Sequence, residues 1–138
     1  KKIPTDKGKQ YEIQRLKDRR TVALRHLTRQ INKMKPLMTD FNNFEFVSVE
    51  MEGLNNLLAE LQVAQDEFLE VLVNDSDIAS ANLWYEVHDG DVFKFKQSVC
   101  YYFSKAKELQ SAELNSAASN QSHRSRRSNH SGLVFTFI

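Results

Sequence analysis

The chain has 138 residues, of which 41% are hydrophobic and 27% are charged, a composition typical of one ordinary globular domain. No apolar run approaches the roughly 20 residues that span a bilayer. The single cysteine, Cys100, excludes an internal disulfide or a cysteine-rich zinc site. Together with the lack of a secretory leader, this predicts an intracellular protein, cytoplasmic rather than nuclear.

The formal net charge of +1 conceals three blocks of alternating sign. Residues 1–40 carry 12 basic and 4 acidic side chains, whereas residues 41–93 carry 12 acids and no lysine or arginine. Residues 94–138 carry 7 basic and 2 acidic side chains. Neighbouring blocks attract if they fold side by side, although each exposed ion pair contributes only about 0.2–1 kcal/mol. Charge therefore selects which segments pair more than it stabilises them.

The first predicted helix covers residues 9–38 and follows a flexible segment at residues 1–8. Its apolar side chains recur at steps of three and four residues, namely Leu24, Leu27, Ile31, Met34 and Met38. Upstream, the same register is occupied by the polar residues Arg20 and Lys17, which predicts looser packing of the first turns of the helix. Pro36 has no amide hydrogen, so we expect the helix to end or kink near it.

The second predicted helix covers residues 45–73. Its apolar stripe is formed by Val47, Met51, Leu54, Leu58, Leu61, Gln65, Phe68 and Leu72, of which only Gln65 is polar. Leu57, Ala64 and Val71 widen the stripe, so we expect this helix to contact two neighbours. The turn-forming residues 74–77 follow it.

The third predicted helix covers residues 77–114. Its seam is formed by Ile78, Ala81, Tyr85, His88, Val92, Phe95, Val99, Tyr102, Ala106 and Leu109. Residues 78–109 would span about 45–50 Å as a helix, which predicts an elongated body. Gly90 costs about 1 kcal/mol inside a helix and is the candidate position for a bend, or for a break that would give four helices. The three segments together predict an all-α, elongated, three-helix antiparallel bundle with coiled-coil character.

Residues 115–138 are rich in Ser, Asn and Arg, which predicts a disordered basic tail with a short apolar end at residues 133–138. Arg124, Arg126 and Arg127 are candidates for nucleic-acid binding, because free arginines neutralise phosphates. The basic side chains of the first helix are a second candidate. Their pairing with the acidic second helix is the competing interpretation.

The third helix has more aromatic side chains than one seam can bury. The candidate partner-binding residues are Trp84, Tyr85, Phe93, Tyr101 and Phe103. Core packing is the competing interpretation for each of them. Because several flank the seam, some must form a second interface or stay exposed, which predicts protein binding or oligomerisation.

No arrangement typical of catalysis is present in the sequence. The histidines His26, His88, His123 and His130 match no metal-ligand motif, and the four glycines are too scattered for a phosphate-binding loop. No motif places an activating base beside Cys100. We therefore expect no catalytic residue, cofactor, metal or small-molecule substrate. The expected function is a non-enzymatic scaffold or protein-protein interaction module, with nucleic-acid binding as the alternative.

Residues 15–38, RLKDRRTVALRHLTRQINKMKPLM, and residues 61–99 resemble the helical N-terminal region of Gag-like polyproteins from BEL/Pao-type LTR retrotransposons. The features that carry the resemblance are Leu16-Lys17 before Arg19-Arg20, the Leu27-Thr28-Arg29 step, an acidic helix with Leu61 and Phe68, and Trp84-Tyr85 after an acidic turn. The resemblance implies a structural, assembly-related role without catalytic residues. The sequence has neither a Cys/His zinc knuckle nor the protease Asp-Ser/Thr-Gly signature.

Overall fold

The structure, a computed structural model, describes residues 6–120, with side-chain environments for residues 6–114. Within this range the chain forms three α-helices and no strand: α1 is Asp6–Leu37, α2 is Phe44–Glu70 and α3 is Asp75–Asn120. A short 3-10 helix, Phe41–Asn43, joins α1 to α2. The all-α three-helix architecture predicted from the sequence is thereby confirmed.

Successive helices run antiparallel. Arg19 of α1 lies 2.7 Å from Glu67 of α2, and further along α1 the Gln30 side chain donates a hydrogen bond of 2.8 Å to the Glu50 carbonyl. The Tyr102 hydroxyl on α3 donates a hydrogen bond of 2.7 Å to the Asp40 carbonyl, so α3 returns to the turn between α1 and α2. The hairpin of α1 and α2 is the most closely packed pair of helices.

The core follows the predicted seams. The largest fully buried side chains are Leu27, Met34, Leu54, Leu61, Val47 and Val99. Each buried aliphatic side chain of this size contributes about 1.5–3 kcal/mol relative to its exposed state. Leu109, the last residue of the predicted α3 seam, is half exposed because α3 has run past the α1–α2 turn there.

A second, smaller cluster closes the other end of the bundle. It contains Leu16, Phe68 and Ala81, one from each helix. The first turns of α1 are loosely packed as predicted, since residues 6–15 include no buried residue. Packing begins earlier than the register suggested, because Leu16 is buried and Arg20 is only 4% exposed. A long basic side chain such as Arg20 can be buried when aromatic rings cover it.

The helix ends differ from the predicted boundaries by a few residues. α1 begins at Asp6, inside the segment predicted to be flexible, and an acid in the first turn interacts favourably with the helix dipole. α3 continues to Asn120, inside the segment predicted to be a disordered tail. Residues 111–120 contain no Gly or Pro, so nothing in the sequence stops the helix earlier. The rest of the predicted tail, including Arg124, Arg126, Arg127 and the apolar end at 133–138, lies outside the described residues.

Two turns fix the connections. α1 ends at Leu37, one residue after Pro36, as predicted. α2 ends at Glu70, three residues before the predicted end, where the Val71 N–H bonds to the Phe68 carbonyl at 3.2 Å in a tightened last turn. The Asn74 side chain then accepts a hydrogen bond of 2.8 Å from the Ser76 N–H, which caps the start of α3.

Two glycines lie in helix interiors with opposite surroundings. At Gly53 an added Cβ would lie 3.1 Å from Nε2 of Gln30, so this glycine permits the close approach of α2 to α1. At Gly90 an added Cβ would meet no atom within 4 Å, and α3 continues through it as one helix. The predicted alternative of four helices is therefore not observed.

Candidate interaction surface

The five predicted partner-binding aromatics divide between two environments. Trp84, Tyr85 and Phe103 are partly buried and pack against the main core, as the competing interpretation held. Phe93 and Tyr101 are 61% and 63% exposed. The structure therefore leaves two of the five side chains largely in solvent, where the only recorded ring contact is that of Lys105 Nζ, 5.9 Å from the centre of the Tyr101 ring, among the described residues.

Trp84 is held by contacts within the chain. The guanidinium carbon of Arg20 lies 3.8 Å from the centre of its ring, and the His88 ring packs edge-on at 4.5 Å. The neighbouring Tyr85 hydroxyl is buried near Gln62, without a hydrogen bond of regular geometry to it. These two residues connect α3 to the rest of the bundle and are poorly placed to anchor a partner.

Arg20 is the centre of a buried polar cluster that joins all three helices. Its guanidinium lies between two aromatic rings, with Phe68 at 4.4 Å on α2 and Trp84 on α3. Nη1 donates a hydrogen bond of 3.0 Å to Oε1 of Gln65, whose Nε2 donates one of 3.0 Å to the Ala81 carbonyl. Burial lowers the pKa of Arg20, and Nε has no hydrogen-bond partner among the described residues. The cluster explains why Gln65 is the polar member of the α2 stripe.

The face of α3 opposite the core carries a row of residues that we call the outer face. Its members recur at helical steps of three and four residues and are all exposed except the partly buried Gly90: Leu83, Val87, Gly90, Lys94, Gln97 and Tyr101. Leu83 is 62% and Val87 is 54% exposed, values close to that of Tyr101. Single exposed apolar residues are common, but Leu83 and Val87 are neighbours on this face. Gly90, Lys94 and Gln97 separate them from Tyr101 at the other end of the row.

The sequence reasoning identified Tyr101 on this face but missed Leu83 and Val87. Both lie between the aromatic and seam residues of α3, so they were not recognised as a row of their own. A second register with the same three-four spacing, displaced by two residues from Ala81 and Tyr85, was the available signal. Phe93 lies beside the outer face and widens it.

A second apolar surface lies in the groove between α1 and α2. The groove has a volume of about 690 Å³ and is lined by Val22, Ala23, Ala59, Val63 and Ala64 among others. Val63 is 53% exposed, almost the same as Val87. Arg15, Arg19 and Glu60 also line the groove, so its rim is charged. The outer face of α3 is instead apolar near its start.

The charges of α1 and α2 only partly neutralise each other. Two ion pairs join the helices, Arg19 with Glu67 at 2.7 Å and Lys33 with Glu50 at 3.2 Å. Hydrogen bonds from Gln30 and then Lys33 hold the pKa of Glu50 below its ordinary value. Arg25 and Arg29 are exposed and have no ion pair among the described residues. Part of the basic surface of α1 is therefore not used for pairing with α2.

Metal-binding and membrane-spanning features are not found in the part of the chain that the structure covers. No three His, Cys, Asp or Glu side chains of residues 6–114 lie together in an arrangement that could hold a metal ion. None of the described helices has an apolar stretch long enough to cross a membrane. Cys100 is exposed on α3.

The chain matches no family model, no curated protein and no solved structure. Its function must therefore be argued from its own surfaces, together with the resemblance to Gag-like regions.

Proposed function

We propose that this chain is a non-enzymatic helical scaffold that associates with copies of itself through the outer face of α3. The observation that carries the proposal is the row of exposed apolar side chains on that face, with Leu83, Val87 and Tyr101 each more than half exposed. Removing such a row from water favours association by roughly 25 cal/mol per Å² of apolar area. The core-facing seam of α3 is occupied by α1 and α2, so the outer face is available to a further molecule.

The resemblance to the Gag-like regions of BEL/Pao-type retrotransposons supports the same proposal. Such regions imply assembly of a structure from many copies, which requires association surfaces and no catalytic group. An elongated bundle with one long helix exposed along its outer side suits that role. An intracellular, cytoplasmic setting is part of this proposal.

The test is the molar mass of the full chain in solution, measured by light scattering over a range of concentrations and at low and high salt. We expect a dimer or larger species that persists at high salt, because apolar association is not screened by ions. Val87→Lys should shift the chain towards the monomer by placing a charge in the interface. Circular dichroism should show unchanged helix content, since Val87 does not contact the core.

Val63→Lys is the matched control, because Val63 is 53% exposed but lies in the α1–α2 groove. This variant should associate like the wild type. A chain that remains monomeric at every concentration would refute self-association. An effect of Val63→Lys as large as that of Val87→Lys would instead assign the association to the groove.

A second candidate function, nucleic-acid binding, is favoured by the exposed Arg25 and Arg29, which have no ion pairs among the described residues. Arg124, Arg126 and Arg127 would extend the same positive charge along the chain. Binding of this kind weakens steeply as salt increases, because cations are released from the phosphates. The test is RNA affinity at several salt concentrations, with the arginines of each group replaced by Gln. Salt-insensitive binding, or binding unchanged in both variants, would exclude this candidate.

A further inference from the structure

The outer face of α3 is symmetric in its spacing. From Leu83 to Tyr101 the steps are four, three, four, three and four residues, so the row has its midpoint at residue 92. Reversing the helix about that midpoint exchanges Leu83 with Tyr101, Val87 with Gln97 and Gly90 with Lys94. A second copy of α3 packed in the opposite direction would therefore present its row in register with the first.

The charge of α3 changes sign at the same place. Residues 75–91 carry five acids and no lysine or arginine, whereas residues 92–107 carry four lysines and no acid. The acids are Asp75, Asp77, Glu86, Asp89 and Asp91, and the lysines are Lys94, Lys96, Lys105 and Lys107. Antiparallel pairing of two copies places the acidic half of each on the basic half of the other. Parallel pairing would align acid with acid and lysine with lysine, which is unfavourable.

Three exposed charges near the midpoint form no ion pair inside the chain. Glu86, Asp91 and Lys94 are exposed and have no ion pair among residues 6–114. The helix dipole does not stabilise these charges, because its effect is limited to the first and last turns of a helix. They are therefore available to ions of opposite sign on another molecule.

Gly90 lies two residues from the midpoint and has empty space where its Cβ would be. Nothing within the chain requires a glycine there, although glycine costs about 1 kcal/mol at this kind of position. In the antiparallel arrangement Gly90 faces Lys94 of the second copy. The missing side chain leaves room for the aliphatic part of that lysine. Its ammonium group can then reach Asp91, the residue after Gly90 on the first copy.

We infer that the occupant of the outer face is a second copy of this chain, bound with its α3 antiparallel and with the two-fold axis crossing the outer face at the level of residue 92. The inference rests on the proposed self-association and specifies its geometry. Leu83 of each copy packs on the Tyr101 ring of the other, and Lys94 pairs with Asp91 across the axis. The observation that supports a second copy over another partner is the charge reversal of α3, because it makes the outer face complementary to itself when two copies are antiparallel.

Disulfide trapping tests the orientation in the full chain. The background is Cys100→Ser, which removes the native thiol, and the test variant adds Leu83→Cys and Tyr101→Cys together. Positions 83 and 101 are about 27 Å apart along one helix, so they cannot bond within one chain. We expect mild oxidation to give a covalent dimer with the double variant and monomer with either single variant.

The outcomes separate the inference from the proposed function. Efficient cross-linking of the single variants would show a parallel pair and overturn the inference. Association by light scattering without cross-linking of the double variant would place the interface elsewhere, so that the inference fails while self-association stands. A chain that is monomeric by light scattering refutes both. A variant with Val63→Cys in place of Leu83→Cys is the control for random collision and should stay uncross-linked.

Charge exchange provides a second test that does not depend on cysteine geometry. Lys94→Glu or Asp91→Lys alone should weaken self-association by roughly two- to tenfold, because each creates like-charge contacts across the axis. The double variant exchanges the two charges and should restore most of the wild-type affinity. Equal weakening by the double variant and the single variants would contradict a direct contact between Asp91 and Lys94. Helix content measured in parallel should be the same in all three.

Discussion

The guanidinium of Arg20 stacks on the ring of Trp84, with 3.8 Å between the guanidinium carbon and the ring centre. The ring centre of Phe68 lies 4.4 Å from the same carbon, so this buried cation contacts two aromatic rings and has no ion pair among the described residues. The arrangement brings one residue from each helix to a single point. Trp84 is the only tryptophan of the chain, so its fluorescence reports directly on this contact.

Arg20→Lys should destabilise the bundle by about 2 kcal/mol, although it conserves the charge. A lysine ammonium is compact and more strongly hydrated, so it cannot stack flat between two rings while bonding to Gln65. The free energy of unfolding, measured in urea through Trp84 fluorescence, is the readout. Arg25→Lys, at an exposed arginine of the same helix, should change it by less than about 0.5 kcal/mol. Similar losses in the two variants would contradict the structural role assigned to Arg20.

Two phenylalanines two residues apart on α3 provide a sharp test of the helix register. Phe95 is buried in the main core and Phe93 is exposed. Phe95→Asp should cost at least about 3–5 kcal/mol, because it removes a large apolar side chain and buries a charge. Phe93→Asp should leave thermal melting of the monomeric bundle nearly unchanged. Unaltered melting of Phe95→Asp would show that the seam is assigned to the wrong residues.

Gly90→Ala should raise the free energy of unfolding of the monomeric bundle by about 1 kcal/mol. The gain comes from helix propensity alone, since an alanine methyl at this position would contact nothing within 4 Å in the same chain. Gly53→Ala gains the same propensity but pushes a methyl group against Gln30, whose Nε2 is held at 2.9 Å from Glu50 Oε1. Urea unfolding of both variants should therefore show the larger gain at position 90. An equal gain at both positions would contradict the close approach of α1 to α2 at Gly53.

Stability should fall at alkaline pH because of Tyr102. Burial, followed by the nearby Asp40 carboxylate, raises the pKa of this tyrosine above its ordinary value. A raised folded-state pKa means that the stabilisation is fully present below the unfolded-state value, near pH 10, and is lost as the pH rises through the folded-state value. Tyr102→Phe should reduce this alkaline loss. It should cost about 1 kcal/mol at pH 7, where the hydrogen bond to the Asp40 carbonyl is missing.

Unfolding measured between pH 8 and 12 checks this prediction. Tyr85 contributes to the same pH range, since burial raises its pKa as well. Some alkaline sensitivity should therefore remain in Tyr102→Phe and decrease further when Tyr85→Phe is added. An alkaline loss identical in the wild type and in Tyr102→Phe would refute the role of Tyr102.

The helices and their buried seams could be predicted because they depend on local spacing. Leu27, Met34 and Leu61 repeat at helical steps, and a side chain on the apolar stripe of an amphipathic helix is buried wherever another stripe is available. The end of α1 next to Pro36 was predictable for the same reason, since a proline acts on its own turn. The continuation of α3 through Gly90 could not be predicted in this way. It depends on whether helix packing on both sides of Gly90 offsets the small free-energy cost of a glycine inside a helix.

The environment of Arg20 could not be read from local spacing. Its burial depends on Phe68 and Trp84, which lie far away in the chain and meet it only when all three helices pack. Local spacing also could not predict which aromatic residues of α3 are buried and which are exposed. Composition indicates that α3 has surplus aromatic side chains, but the choice between Phe103 in the core and Phe93 in solvent depends on where α1 and α2 touch α3.

The close packing of α1 on α2 has a consequence for the nascent chain. These helices are joined by a short turn and precede α3 in the chain, so they can pair while α3 is still in the ribosome. Contacts between neighbouring segments also form faster than distant ones, which makes this hairpin the expected folding nucleus. Until α3 is synthesised, the side of the hairpin that contains Gln65 and Phe68 is uncovered. Polypeptides that stop before Asp75 are therefore expected to aggregate, whereas chains that include the whole of α3 have no such exposed flank.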